Sequence, residues 1–249
     1  MNHLLEVCVD SLESALAAQS GGADRLELCA NLLIGGTSPS PALIEEVLAA
    51  VTIPVNVLLR PRFGDFCFTD AEKRILIREV ETCRDLGVHG VVLGALLPDG
   101  RLDRDHLAQC IEAGGPNLSH TLHRAFDLCR DPFEGLEDAV ALGFDTILTS
   151  GQQAKAIEGA ALLGRLVEKA AGRIQILAGS GVGPGCLEAL ARTGVRQFHF
   201  SAKRPAESPM VFRRTGVPMG LPLADEYLRE YADPTLVAQV KNTLRTLDL

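Results

Sequence analysis

A single-domain parallel (β/α)8 barrel of the TIM type is the α/β architecture this sequence predicts, on three observations. Strand-like and helix-like runs alternate from residue 4 to residue 202, eight of the first and seven of the second. The length, 249 residues, matches the roughly 250 typical of such barrels. Apolar residues make up 47% of the chain, enough for a large core, while 22% charge is ordinary for a soluble domain. A doubly wound sheet is the alternative, and it rarely alternates so evenly.

The strand-like runs are Leu4–Asp10, Arg25–Ala30, Val55–Arg60, Gly90–Leu96, Leu118–Asp127, Thr146–Ser150, Ile174–Gly179 and Gln197–Ala202. Between them, apolar residues recur at three- and four-residue spacing over Ser11–Ser20, Pro41–Ala50, Asp70–Leu86, Asp103–Ala113, Phe133–Leu142, Gln153–Ala171 and Pro184–Arg192. Gly87, Gly143 and Gly194 stand where left-handed caps are expected, and Ser11, Asp70 and Asp103 where N-caps are. The last part, residues 203–249, reads as a Pro-rich connector (Pro205, Pro209, Pro218, Pro222) and a terminal helix, Thr235–Leu247, packed on the barrel. No linker or low-complexity tract divides the chain, so residues 1–249 form one domain.

Side chains alternate faces along a strand. In the first run Glu6, Cys8 and Asp10 therefore oppose Val7 and Val9. In the second, Arg25, Glu27, Cys29 and Asn31 oppose Leu26, Leu28 and Ala30. The apolar faces pack on helices, so the charged and thiol-bearing faces look into the barrel, where buried charge is costly unless paired or used. Two neighbouring strands repeating Glu-apolar-Cys point to a polar, sulfur-containing site.

Net charge is −8 and tryptophan is absent, which argues against nucleic acid and against anionic membranes. No apolar run approaches the roughly 18 residues of a membrane span. The start, Met1-Asn2-His3-Leu4-Leu5-Glu6, lacks a basic segment followed by a long apolar one, so a cytoplasmic location is expected. The seven cysteines are spread out without Cys-x-x-Cys spacing, which predicts free thiols and no structural zinc. Cys67, Cys83, Cys110, Cys129 and Cys186 read as incidental.

Barrel active sites form at the carboxyl ends of the strands. Cys8 and Cys29, on neighbouring strands about 4.8 Å apart, suit a soft cation such as Cu(I). Arg60 and Arg62, next to Glu27 and Asp10 and with Arg62 followed by Asp65, are candidates to clamp a carboxylate or phosphate, and Asp10 is itself a candidate ligand-binding residue. Glu27, His123 and Asp127 are candidate proton-moving groups, with Arg124 beside them. Ser150 ends the sixth strand, and Gly179 and Gly181 open a glycine-rich turn of the kind that cradles phosphate. His199 and Ser201 share a face of the eighth strand, opposite Phe198 and Phe200, and Lys203 and Arg204 follow.

Several strings together carry a resemblance. They are Val7-Cys8-Val9-Asp10-Ser11, Gly22-Ala23-Asp24-Arg25-Leu26-Glu27-Leu28-Cys29, Gly35-Gly36-Thr37-Ser38-Pro39-Ser40, Arg60-Pro61-Arg62-Phe63-Gly64-Asp65-Phe66, His123-Arg124-Ala125-Phe126-Asp127, Leu148-Thr149-Ser150-Gly151 and Phe198-His199-Phe200-Ser201-Ala202. The chain resembles the CutC family from Glu6 through the segment Met210–Arg213. One departure is Thr121-Leu122-His123, where an aromatic more commonly precedes the histidine. The resemblance implies a cytoplasmic, homodimeric (β/α)8 barrel concerned with copper homeostasis, with Cu(I) falling on Cys8 and Cys29. The residues themselves leave a second reading open: an enzyme acting on a small anionic or phosphorylated metabolite, using the arginines, the glycine turn and Glu27, His123 and Asp127.

Overall fold

Eight parallel strands close into a barrel in chain order: β1 (Leu4–Val9), β2 (Arg25–Leu28), β3 (Val55–Leu58), β4 (Gly90–Leu93), β5 (Ser119–Leu122), β6 (Thr146–Thr149), β7 (Gln175–Ala178) and β8 (Gln197–Phe200). The computed structural model describes residues 3–214, 216, 217, 219 and 225–247. Closure pairs β8 with β1 in a register that sets Glu6 beside His199, and β1 pairs β2 with Cys8 beside Glu27. Helices α1 (Leu12–Ser20), α2 (Pro41–Ala50), α3 (Asp70–Leu86), α4 (Arg104–Gly114), α5 (Pro132–Leu142), α6 (Ala160–Ala170), α7 (Leu187–Ala191) and α8 (Pro234–Thr246) surround it.

The main apolar core lies between barrel and helices. Leu5, Val7, Val9, Leu26, Leu28, Val57, Leu122, Ile147 and Phe198 point outward into it, as their alternation in the sequence requires. The inward faces are largely polar: Glu6, Arg25, Glu27, Asn56, Thr121 and His123 are all buried. Barrel interiors are ordinarily filled by branched apolar side chains, so a polar interior is a departure that function has to explain. The last helix is tied down from below by Lys241 Nζ, 2.6 Å from Asp24 Oδ1, and by His3 Nδ1, 3.1 Å from the Leu244 carbonyl.

Caps fall where short-range chemistry puts them. Ser11 and Asp103 accept from Ser14 N and His106 N, and Gly87 and Gly143 close α3 and α5 at φ 75° and 88°. Four expectations need correction. The cap of α3 is Thr69, not Asp70, because Thr69 and Glu72 form a reciprocal capping box. β5 stops at Leu122, since the His123 side chain accepts from Ala125 N and starts a 3-10 turn over Arg124–Leu128. The helix expected from Gln153 begins only at Ala160: Ser150 Oγ donates to the Gln153 carbonyl, Ala156 N to Ser180 O, and the Cα of Gly159 sits so close under Ser150 that a side chain there would strike its carbonyl. The helix expected over Pro184–Arg192 shortens to α7. The connector also holds an antiparallel hairpin, β9 (Lys203–Glu207) and β10 (Leu228–Ala232), while Pro218 and Pro222 lie outside the described residues.

Candidate metal and ligand site at the barrel mouth

At the carboxyl end of the barrel a cavity of about 380 Å³ opens between the tips of β1, β2, β3, β5 and β8. Its floor on one side is a buried cluster. Cys8 Sγ, a Glu27 carboxylate oxygen and a His199 ring nitrogen all lie within 4.8 Å of one another. His199 Nε2 is 3.7 Å from Glu27 Oε2, and its Nδ1 is 2.8 Å from Glu6 Oε1. Glu6 in turn accepts from Arg25 Nε at 2.6 Å, and Arg25 NH2 reaches Gln197. The strand registers explain the convergence: Glu6 is the cross-strand partner of both Arg25 and His199, and Cys8 that of Glu27.

The electrostatics follow from this packing. Burial alone would raise the Glu6 carboxyl, but Arg25 and His199 outweigh it and hold Glu6 below the ordinary carboxylate range. Burial raises Glu27, with Glu6 adding to it against His199. Burial would depress the His199 imidazole, yet Cys8, Glu27 and Glu6 together hold it well above its usual value. Cys29 is fully buried, its thiol 3.4 Å from Glu27 Oε2, and burial with the Glu27 charge pushes it well up.

The two thiols are diagonal rather than opposite, because the register pairs Cys8 with Glu27, two residues before Cys29. Among the described residues the group of three possible ligands is therefore Cys8, Glu27 and His199, with Cys29 beside it.

The wall that runs on from Cys29 is built by β3, β5 and the loop after β3. Arg60 is 8% exposed, donates from NH1 to Gly36 O and from NH2 to Gly64 O, and lies 4.8 Å over the Phe66 ring. His123 stacks on the same ring at 4.7 Å. Its ring is wedged against Gly94, where any side chain would meet the imidazole. Burial, with Arg60 nearby, depresses His123 to about 3, so it stays neutral.

Of the other sequence candidates, Arg124, Gly181 and Ser201 line the cavity. Asp127 sits behind Arg124 and is ringed by donors: Thr149 Oγ1 at 2.5 Å, Ser150 N, Gln152 N, and Arg124 Nε at 2.7 Å. Ser150 is buried in that knot, away from the cavity lining. Gly179 is also off the lining; a Cβ there would strike Leu148, which is on it. Arg62 turns away to Glu72 and Asp65 and is not brought to the cavity. Asp10 lies beyond the rim, in a small crevice shared with Glu230 and Tyr231. Lys203 lines the cavity but pairs with Glu230 across the hairpin, and Arg204 pairs with Asp233. Sequence reasoning did not single out Phe66, whose ring holds both Arg60 and His123; its string was visible, but nothing in it shows which aromatic turns inward.

Comparison with known proteins decides the family. The CutC family model matches residues 3–204. The chain belongs to the CutC family. It is 44% identical over 245 residues to a CutC family protein of Chromobacterium violaceum, covering 98% of this chain and 99% of that one. It is 42% identical to the human copper homeostasis protein cutC homolog, over 94% of this chain and 86% of that protein. A crystal structure of CutC from Streptococcus agalactiae superposes with a TM-score of 0.76 at 33% identity, covering 80% of this chain and 98% of that one. No helix among the described residues is long and apolar enough to cross a membrane.

Proposed function

We propose that this CutC protein serves copper homeostasis by holding Cu(I) at the floor of the barrel mouth, on Cys8 and His199 with Glu27 alongside. The observation that carries the reading is the convergence of Cys8 Sγ, a His199 nitrogen and a Glu27 oxygen within 4.8 Å. The donor chemistry suits the ion: thiolate and imidazole are ligands that copper takes readily. The surroundings suit it as well. A ligating histidine characteristically gives its other ring nitrogen to a carboxylate, and His199 gives Nδ1 to Glu6, itself fixed by Arg25. Cys29, hydrogen-bonded to Glu27, is the adjacent thiol to which the ion would pass or which would complete its sulfur coordination.

The reading places the protein in the cytoplasm, where thiols stay reduced, as a homodimer. The exposed Met210, Val211 and Phe212, after β9, are the apolar surface that would support a contact between copies, and sedimentation velocity tests it.

The test of the copper site is an anaerobic Cu(I) titration against a competing chelator. Tight one-to-one binding is expected in the wild type, lost in Cys8→Ser and in His199→Ala and weakened less in Cys29→Ser. Weak binding that is equal in all four proteins overturns the proposal.

A further inference from the structure

Beside Cys29, the cavity wall holds a cation for which the described residues supply no counter-ion. Every contact of the Arg60 guanidinium is to neutral groups: the carbonyls of Gly36 and Gly64 and the face of Phe66. Among the described residues no carboxylate lies within ion-pair distance of it, although it is 8% exposed, and its Nε has no hydrogen-bond partner. Buried charges in proteins are paired, because an unpaired one loses its hydration without return. Arg62, two residues on, shows the contrast, with both Asp65 and Glu72 in contact.

Beside it stands a second unused donor. His123 Nδ1 accepts from Ala125 N, which fixes the ring proton on Nε2. That Nε2 is buried and has no partner. Phe66 and Gly94 hold the ring on both sides, so it cannot turn to find one. Arg60 and His123, both on the cavity lining, thus each carry a buried N–H group without a partner among the described residues, one of them on a charged side chain.

The remaining lining indicates what would answer them. Arg124 is held by Asp127, Lys203 by Glu230 and His199 by Glu6 and Glu27, so Arg60 is the one lining cation without a carboxylate partner among the described residues. A single guanidinium with a neutral imidazole donor matches a monoanion with two acceptor oxygens better than a phosphate dianion. Leu32, Leu58, Leu148, Val182 and Phe200 supply apolar wall for the body of the molecule. The volume, about 380 Å³, is at the small end of the 300–1,000 Å³ usual for ligand pockets.

We propose that Arg60 and His123 form a carboxylate-binding subsite, so that the cavity takes a small organic acid with its carboxylate on this wall and its body toward Cys8 and His199. The subsite uses none of the copper ligands, so it stands or falls separately from the metal.

The test is thermal melting of metal-free protein, kept in chelator, against acetate, propionate, butyrate and pyruvate, each beside its neutral amide, and against inorganic phosphate. At ten times Kd a one-site ligand should raise Tm by about 3–6 °C for a domain of this size. At least one carboxylate is expected to do so while its amide and phosphate do not. The shift should vanish in Arg60→Met and fall in His123→Asn. Arg60 also ties two loop carbonyls, so if Arg60→Met does not fold, His123→Asn and the carboxylate-against-amide comparison in the wild type carry the test. No shift with any carboxylate, an equal shift with the amide, a shift by phosphate alone, or an undiminished shift in the Arg60 or His123 variant overturns the subsite.

Discussion

Glu6 is the residue on which both the stability of the barrel and the orientation of His199 depend, and Glu6→Gln separates its charge from its shape. Glu6 is fully buried and accepts from Arg25 Nε at 2.6 Å and His199 Nδ1 at 2.8 Å. A glutamine keeps one acceptor oxygen but turns an NH2 toward the other donor, and it leaves the Arg25 guanidinium buried without its carboxylate. Removing one partner of a buried ion pair costs about 3–5 kcal/mol. For a chain of this length that is a fall in Tm of about 6–20 °C. The double variant Glu6→Gln/Arg25→Gln removes both charges and should be less destabilised than the sum of the two single variants, by about 0.5–3 kcal/mol. Cu(I) affinity should drop with the loss of the His199 anchor, by about 10–100-fold. Urea denaturation of the four proteins of the cycle, followed by chelator competition at a temperature where all are folded, measures both. An E6Q protein melting within about 2 °C of wild type, with additive single variants, would refute the claim that this pair organises the site.

Three further outcomes follow from the same geometry. Asp127→Ala should orphan several buried donors at about 1–3 kcal/mol each, short of additively, so urea denaturation should show a larger loss than for Asp127→Asn, which keeps one acceptor; equal stabilities would mean the knot of Thr149, Ser150 and Arg124 is incidental. His123 stays neutral down to about 3 in the folded chain against 6.5 for an ordinary histidine, so below pH 6.5 the unfolded chain takes up a proton that the folded one refuses, and stability falls as pH drops. Between pH 7 and 5 this one group costs about 2 kcal/mol, and the Tm of His123→Asn should decline less steeply over that interval; parallel pH profiles would show that His123 does not contribute. Gly36→Ala meets both a φ of +88° and the Leu58 side chain, 2.5 Å from the added Cβ. It should lower Tm and loosen Arg60, whose NH1 donates to the Gly36 carbonyl, and a variant as stable as wild type would contradict the tight packing of that wall.

Much of this was readable before any coordinates. Alternation in Leu4–Asp10 and Arg25–Ala30 already put Glu6, Cys8, Arg25, Glu27 and Cys29 on inward faces, and side-chain period alone dictates that. Glycine caps at Gly87 and Gly143 and the eight-fold alternation gave the barrel. What could not be read were registers and long-range partners. His199 meets Glu6 across 193 residues of chain, through closure of the barrel, and only the β1–β2 register decides that Cys8 faces Glu27 rather than Cys29. The arginines show the same limit from another side: Arg60 and Arg62 look alike in the string Arg60-Pro61-Arg62, yet one turns to carbonyls and a ring in the cavity wall and the other to two surface carboxylates. Tertiary hydrogen bonds also overrode local pattern at His123, which ends β5 by capping the next turn, and at Ser150, which unwinds the start of α6.

The most direct measurement is an anaerobic crystal structure of Cu(I)-loaded protein with an anomalous difference map at the copper edge. One strong peak is expected, bonded to Cys8 Sγ and His199 Nε2, with Glu27 or Cys29 alongside and the Glu6–Arg25 pair intact behind. Copper found only on Cys67 or Cys186 at the surface, or no peak in the barrel mouth of a protein that remains folded, would contradict the proposed site.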